Sequence, residues 1–156
     1  MRYQIIIRRY KNTDCQKVSE LFYETVHHVN AQDYTDEQLF AWAKDIDRLK
    51  NRRTDLLKQN TLVAEINGSI VGFGSITAAG CLDLLYVHKD FLRQGIATKL
   101  CDELEKYFTV VIAYVSITAK PFFETRGYYV KKEQEVERLG VKLKNYKMKK
   151  IFKCNY

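Results

Sequence analysis

The chain has 156 residues, of which 46% are hydrophobic and one is proline, and this composition predicts a single folded domain over residues 1–156 and excludes a disordered tail protein. Its net charge of +7 at pH 7 favours anionic partners, but no basic run stands out, so we expect no nucleic-acid partner. No apolar run reaches the roughly 20 residues that cross a bilayer, and the cysteines lack metal-type spacing, so we expect a cytoplasmic protein without membrane or metal partners.

The N-terminal third predicts one strand followed by two helices. Residues 3–9 include three consecutive isoleucines, which is typical of a strand covered on both faces. Thr13 and Thr35 each begin a capping-box pattern, and the apolar residues that follow recur at helical spacing. We therefore expect a first helix that ends near His28 and a second that starts at Thr35, with an extension to Leu57 left open.

The middle of the chain predicts a hairpin. Residues 61–66 and 70–76 have β-strand composition, and Asn67-Gly68 between them is the strongest short hairpin signal. Gly72-Phe73-Gly74 resembles the start of a dinucleotide-binding fingerprint, but it lies within the second strand and lacks the third glycine. A bulge or a close backbone approach explains this segment better.

The next segment reads as a strand, a short turn and a helix. The apolar run 82–87 has the length of a strand, and Ile96 and Leu100 begin a helical repeat after Gly95. Backbone N–H groups at a helix start have no partner and lie at the positive end of the helix dipole, so a turn without bulky side chains there can bind phosphate. The alternative is an ordinary strand-to-helix turn.

Asp83 interrupts this apolar strand. Because strand side chains alternate between faces, Cys81, Asp83 and Leu85 are predicted to share one face. A carboxylate in such a strand costs free energy unless it has a partner or a task. Asp83 is therefore either a paired structural carboxylate or a functional acid.

The segment after the phosphate-type turn and its helix predicts a strand and a short helix. Residues 110–115 form a continuous apolar run, typical of a central parallel strand that is reached by a right-handed crossover. Pro121 suits the first turn of a short helix, and Gly127 suits its end.

Residues 129–138 and 141–152 are predicted as a second hairpin around Leu139-Gly140. Along its second strand, the apolar residues shift from odd-numbered to even-numbered positions. This shift predicts a bulge near Asn145, which would keep the apolar side chains on the inward face of the sheet. The lysines of this strand are expected to remain in solvent and to discourage strand-to-strand aggregation.

Two stretches resemble motifs of the GNAT superfamily of acyl-CoA N-acyltransferases. Gly95 and Ala97, which follow the strand end Leu85-Tyr86-Val87, match the second half of the pyrophosphate-loop pattern Gln/Arg-x-x-Gly-x-Gly/Ala. Leu92 stands at the first polar position of that pattern, and Arg93 beside it is placed to replace the lost polar contact. Since this loop binds mainly through backbone amides in the family, Leu92 changes the signature more than the binding.

The second stretch resembles the family motif Asn-x-x-Ala-x-x-x-Tyr-x-x-x-Gly-Phe. Ala119 and Gly127 match it, whereas Ser116, Phe123 and Tyr128 occupy the Asn, Tyr and Phe positions. The family tyrosine often protonates the departing CoA thiolate, and phenylalanine has no proton to give. The general acid therefore stays open among Tyr114, Tyr128, Tyr129, Cys81 and water.

The resemblance implies a GNAT-like α/β fold: a mixed, largely antiparallel sheet with a central, splayed pair of parallel strands flanked by helices. It implies an acetyl-CoA-dependent N-acetyltransferase, monomeric or homodimeric, that acts on a small-molecule amine or a peptide. The implied CoA contacts are Leu85, Tyr86, Val87, Leu92, Arg93, Gln94, Gly95, Ile96, Ala97, Thr98, Ser116 and Phe123.

For catalysis, the resemblance implies that Asp83 acts as the general base, directly or through water. Tyr128 and Cys81 are the candidate proton donors. A cysteine nucleophile at Cys81 would need a neighbouring histidine that the sequence does not place.

The region between the first two strands lines the acceptor pocket in this family, so Tyr34, Trp42 and His28 are candidate acceptor contacts. Core packing is the alternative for the two aromatic residues, and an ordinary helix-end position is the alternative for His28. The competing function is an acyl-CoA-binding or regulatory module with little or no turnover, which Phe123 and Leu92 favour.

Overall fold

In the computed structural model, which describes residues 3–153, seven strands form one sheet. The strands are β1 (Ile5–Arg9), β2 (Asn60–Ile66), β3 (Ser69–Ile76), β4 (Cys81–Val87), β5 (Val110–Ser116), β6 (Tyr129–Arg138) and β7 (Val141–Ile151). Their order is β1-β2-β3-β4-β5-β7-β6, and among the pairs in the described residues only β4 and β5 run parallel. The prediction of a mixed, largely antiparallel sheet with a central parallel pair is confirmed.

Helices cover both faces of this sheet. They are α1 (Cys15–His28), α2 (Asp36–Trp42), α3 (Asp47–Lys50), α4 (Arg53–Lys58), α5 (Ile96–Glu105) and α6 (Lys120–Thr125). Buried side chains of α1 to α4 form one cluster with Val63, Phe73 and Leu84 of the strands. Those of α5 and α6 form a second cluster on the opposite face, with Leu62 and Leu82. The core therefore consists of two layers separated by the sheet.

Helix α5 lies unusually close to the sheet because two glycines make room for it. A Cβ atom on Gly72 would lie 2.9 Å from Ile96 Cγ2, and one on Gly74 would lie 2.8 Å from Leu104 Cδ1. Such distances are too short for carbon atoms, so any larger residue would force these side chains or the helix to shift. Both parts of the prediction for Gly72-Phe73-Gly74 are confirmed, because β3 also has a bulge at Val71, where Ala64 pairs with Gly72 and Glu65 with Ile70.

The region before β2 contains the predicted second helix but not its extension to Leu57, which the sequence left open. The capping box at Thr35 is present, since Thr35 Oγ1 accepts from Gln38 N at 3.2 Å. However, the chain leaves the helical conformation at Ala43, whose carbonyl oxygen lies 2.6 Å from His27 Nε2. Two short helices follow instead of an extension to Leu57.

Two strand predictions need correction. Strand β1 is an edge strand with Ile6 47% exposed, so it is not covered on both faces. The second hairpin turns at Leu139 and Gly140 as expected, but its bulge lies in β6, where Lys131 is the extra residue opposite β7. No bulge is needed near Asn145, because the buried residues of β7 face opposite clusters.

Candidate functional site

A gap opens in the centre of the sheet where β4 and β5 separate. The two strands pair only at Cys81 with Ile112 and at Leu82 with Ala113. The carbonyl oxygens of Leu84 and Tyr86 in β4 point toward β3. They lie 3.2 and 3.3 Å from the positions that Cβ atoms would take on Gly74 and Gly72. Alternate residues of a strand direct their polar groups to opposite sides. The backbone groups of Leu85 and Val87 therefore face the gap, and the predicted splayed pair is confirmed.

A cleft of about 420 Å³ occupies this gap. Backbone and side chains of β4, β5, the start of α5 and α6 form its walls. Every residue predicted to contact CoA lines the cleft except Gln94. The Thr25 hydroxyl closes one side by donating to the Val87 carbonyl oxygen at 3.4 Å.

The turn that leads into α5 presents a row of free backbone donors. Gly95 has φ +84°, and a Cβ atom added there would meet nothing within 4 Å. The first helical amide with a backbone partner is that of Lys99, which donates to the Gly95 carbonyl oxygen at 3.0 Å. Among the described residues, the N–H groups of residues 95–98 have no acceptor. They line the cleft at the positive end of a ten-residue helix, which is the chemistry that an anionic group requires.

Asp83 is the extra residue of a β-bulge. Ser75 of β3 pairs with Leu84, but the next residue, Ile76, pairs with Leu82, so Asp83 has no partner opposite it. A bulge interrupts the alternation of side chains. Leu85 therefore packs with the α5 cluster, while Asp83 lies beside Arg52, so the prediction that these two side chains share a face is wrong.

An ion pair holds the Asp83 carboxylate. Arg52 Nη2 donates to Asp83 Oδ2 at 2.5 Å, and Arg52 Nε lies 3.5 Å from Asp55 Oδ2. Burial lowers the pKa of Arg52, but the hydrogen bond and charge of Asp83 outweigh it and raise that pKa overall. Asp83 Oδ1 has no hydrogen-bond partner in residues 3–153, and the side chain is 29% exposed. Asp83 is thus a paired carboxylate with one oxygen left for a ligand.

A second cavity of about 380 Å³ adjoins the first one and shares Asp83 and five other lining residues with it. It lies between the helices before β2 and the β6–β7 hairpin, and Arg48, Arg52 and Arg138 line it. The residues that the two cavities share are Trp42, Asp83, Leu84, Tyr86, Tyr114 and Ser116. A carboxylate with a free oxygen thus stands where two separately lined spaces join.

Two of the three predicted acceptor contacts line this second cavity. Tyr34 and Trp42 pack edge to face at 5.3 Å. The Tyr34 hydroxyl donates to the Lys144 carbonyl oxygen at 2.6 Å and accepts from Ile117 N at 3.0 Å, so it also ties β7 to the end of β5. His28 is exposed at the end of α1 and lines neither cavity.

Two of the candidate proton donors of the sequence prediction, Tyr128 and Cys81, lie outside both cavities. Tyr128 is 3% exposed and donates its hydroxyl proton to Glu105, which is itself paired with Arg126. Burial and Glu105 raise the pKa of Tyr128. Cys81 precedes the point where β4 and β5 separate, and burial raises the pKa of its thiol. Neither Tyr128 nor Cys81 lines either cavity. Tyr128 packs instead in the core cluster that contains the buried residues of α5.

Tyr114 is the tyrosine that the structure brings to the junction. It is 50% exposed and lines both cavities. The last parallel pair joins Leu82 to Ala113. The next residues, Asp83 and Tyr114, therefore stand on opposite sides of the mouth of the gap.

Several residues of the site gave no signal in the sequence. Arg52 pairs with an acid 31 positions away, and Arg138 reaches the second cavity from the far hairpin. Asn30 donates to Ser116 Oγ at 3.4 Å, and Ser116 Oγ accepts from Ala119 N at 3.1 Å, which orders the turn before α6. Charge alone could have marked the arginines, but no local pattern distinguishes them from surface residues.

Residues 3–153 contain no group of three or more His, Cys, Asp or Glu side chains placed to hold a metal ion. None of the helices in this part of the chain is long and apolar enough to cross a membrane.

The chain matches a protein family and several known proteins. Residues 30–150 match the family described as "Acetyltransferase (GNAT) domain". The chain is 36% identical over 146 residues to the "Uncharacterized N-acetyltransferase YafP" of Escherichia coli (strain K12), covering 93% of this chain and 95% of that protein. A crystal structure from Rhodopseudomonas palustris, described as a GCN5-related N-acetyltransferase, is 32% identical with a TM-score of 0.92, covering 97% and 99% of the two chains.

More distant structures share the fold. The PaiA N-acetyltransferase of Thermoplasma acidophilum, solved in complex with coenzyme A, has a TM-score of 0.73 at 20% identity and covers 96% of this chain and 99% of its own. The yncA protein of Salmonella typhimurium, solved with acetyl-CoA, has a TM-score of 0.65 at 19% identity and covers 98% and 96%. The family match, the two relatives above 30% identity and the splayed sheet agree, and the chain belongs to the GNAT acetyltransferase family.

Proposed function

We propose that this protein is an acetyl-CoA-dependent N-acetyltransferase that transfers the acetyl group to a primary amine. The observation that carries the proposal is the meeting of two cavities at Asp83, one of which suits CoA and the other an acceptor. Direct transfer between two bound substrates needs such an arrangement, because both must lie in line at one point.

The first cavity has the donors and acceptors that CoA requires. The free N–H groups of residues 95–98 are placed to bind the diphosphate. The backbone groups of Leu85 and Val87 that face the gap are placed to pair with the amides of the pantetheine arm. Relatives of the same fold contain CoA and acetyl-CoA, which supports this use of the cleft.

Asp83 is placed to remove a proton from the acceptor amine. An amine with a free pKa near 10 arrives mostly as an ammonium ion at neutral pH and cannot attack until it loses a proton. Arg52 holds Asp83 Oδ2, so Oδ1 accepts that proton, directly or through water. Bound acetyl-CoA supplies an activated acyl carbonyl, and the Leu85 N–H is placed to stabilise the oxygen that becomes negative.

Tyr114 replaces Tyr128 as our candidate for the proton donor to the departing thiolate. It faces the junction across from Asp83, whereas the hydroxyl of Tyr128 is bound to Glu105 in the core. Phe123, at the family tyrosine position, is 3% exposed and contributes only an apolar wall to the cleft. Residue 123 therefore has no hydroxyl group that could protonate the thiolate. This observation favours the alternative function, a CoA-binding module without turnover.

The experiment follows thiol release from acetyl-CoA with a panel of amines, alongside calorimetric titration with CoA. Asp83→Asn should lose most thiol release yet bind CoA normally. Asp36→Asn, which removes an exposed carboxylate lining neither cavity, is the matched control. CoA binding without release on any amine would favour the binding module, and absence of CoA binding would refute both functions.

A further inference from the structure

The second cavity has a marked excess of positive charge. Arg48, Arg52, Arg138 and Lys144 line it, and Asp83 is the only carboxylate among the described residues of its lining. Burial raises the pKa values of Tyr34 and Tyr86, so these phenols add no negative charge. The cavity therefore favours an occupant with an anionic group.

Two of the four cations are already compensated. Arg52 is paired with Asp83 and lies 3.5 Å from Asp55. Lys144 is paired with Glu133 across the β6–β7 hairpin.

Arg48 and Arg138 are different. Within residues 3–153, neither guanidinium has a carboxylate within 4.0 Å, and Arg138 donates only to the Glu137 carbonyl oxygen, at 3.0 Å. Two guanidinium groups that line one cavity without a counter-ion are available to a ligand, and the planar guanidinium matches carboxylate and phosphate oxygens.

Arg138 lies far from Asp83 across the sheet. Arg138 is the last residue of β6, which is three strand positions from β4 in the sheet. At 4.7–4.9 Å for each position, and with β4 and β5 splayed apart at Asp83, the strand backbones are separated by at least roughly 14 Å. Arg48 lies on α3 and reaches the same cavity from the helical side. An acceptor whose amine lies at Asp83 would thus extend through this cavity toward Arg138, with Arg48 on its helical wall.

Aromatic side chains also line this cavity. Phe22 and Tyr86 pack edge to face at 5.0 Å, and both line the cavity with Trp42. A volume of about 380 Å³ has the size of a small-molecule site. The middle of the acceptor should therefore be apolar or aromatic.

We propose that the acceptor is a small amine with an apolar or aromatic body and a carboxylate or phosphate at the end remote from the amine, which Arg48 and Arg138 bind. This inference rests on the proposed function and narrows its substrate class. It excludes polyamines, because a second ammonium would lie against two uncompensated cations.

The test uses matched pairs of amines that differ in charge at the far end. They are para-(aminomethyl)benzoate with its carboxamide, and the phosphate ester of tyramine with tyramine. Calorimetry measures binding of each to the protein saturated with CoA. Each anionic probe should bind about tenfold or more tightly than its neutral counterpart, and added salt should weaken only the anionic probes. The two pairs separate a carboxylate preference from a phosphate preference.

Substitutions assign the preference to the two arginines. Arg48→Gln, Arg138→Gln and the double variant should remove most of the anionic preference while neutral probes bind as before. Arg9→Gln, an exposed change on β1 that lines neither cavity, should leave the preference intact. Equal binding of charged and neutral probes, no anionic binding up to about 10 mM, or a preference that survives in the double variant would overturn the inference.

Failure of the proposed function looks different. It appears as loss of CoA binding or of thiol release for every amine, whatever its charge. Probe binding measured without CoA then still decides whether the cavity selects anions.

Discussion

Replacing Gly95 with glutamate tests whether the turn before α5 binds the diphosphate of CoA. The left-handed backbone at φ +84° costs a side chain about 1–2 kcal/mol of stability, partly offset by about 0.3–1 kcal/mol from a negative charge at a helix start. A carboxylate about 6 Å from a phosphate, at an effective dielectric constant of about 40, is repelled by about 1.4 kcal/mol per charge. For two phosphates this approaches about 3 kcal/mol, so CoA should bind roughly a hundredfold more weakly.

Calorimetric titration with CoA measures this loss, and Gly68→Glu is its matched control. Gly68 has φ +80°, and a Cβ atom there would also meet nothing within 4 Å, but it lies in the β2–β3 turn and lines neither cavity. The control should lose similar thermal stability and bind CoA normally. If Gly95→Glu binds CoA within about threefold of the parent protein, or if both variants lose binding equally, the diphosphate does not lie at this turn.

Three further predictions follow from the site and its supports. Tyr114→Phe should lower kcat at least about tenfold with unchanged CoA affinity; an unchanged kcat removes it as proton donor. Tyr128→Phe leaves Glu105 one hydrogen bond short and should cost about 1–3 kcal/mol in thermal unfolding while activity persists; a matching loss of kcat would restore it as proton donor. The hydrogen bond from Arg8 lowers the pKa of Asp14 against the opposing effect of burial, so its contribution is present above about pH 4 and is lost as pH falls through its folded pKa. Asp14→Asn should flatten that acid decline in melting experiments, and an unchanged slope contradicts the assignment.

Local patterns predicted the elements of this fold well. Asn67-Gly68 forms the expected hairpin because both residues take positive φ angles, which its turn requires. Ile96 and Leu100 are fully buried because the apolar repeat of α5 fits a single helical face. Such features depend on residues within a few positions of one another, so the sequence carries them directly.

The features that position the site depend on distant residues. Helix α2 ends at Trp42, and the carbonyl oxygen of the next residue, Ala43, contacts His27 Nε2 at 2.6 Å; no residue near Ala43 signals that contact. The sequence predicted the glycine turn that precedes Tyr128. It did not predict that the Tyr128 hydroxyl donates to Glu105 of α5, because that contact depends on how α5 packs. The pairing of Arg52 with Asp83 likewise joins segments that the sequence treats separately.

The bulge at Asp83 separates the direction of this acid from the packing of its neighbours in β4. One extra residue in β4 lets Leu82 and Leu85 both pack with the α5 cluster while Asp83 turns to the junction of the cavities. The packing of the apolar cleft wall therefore does not fix the direction of the Asp83 side chain. The departures Leu92 and Phe123 change side chains, whereas the donors available to CoA are backbone amides whose positions follow from the turn and the splayed strands. A GNAT site can thus keep its CoA geometry while its proton donor changes, and Tyr114 across from Asp83 is where that change should be sought.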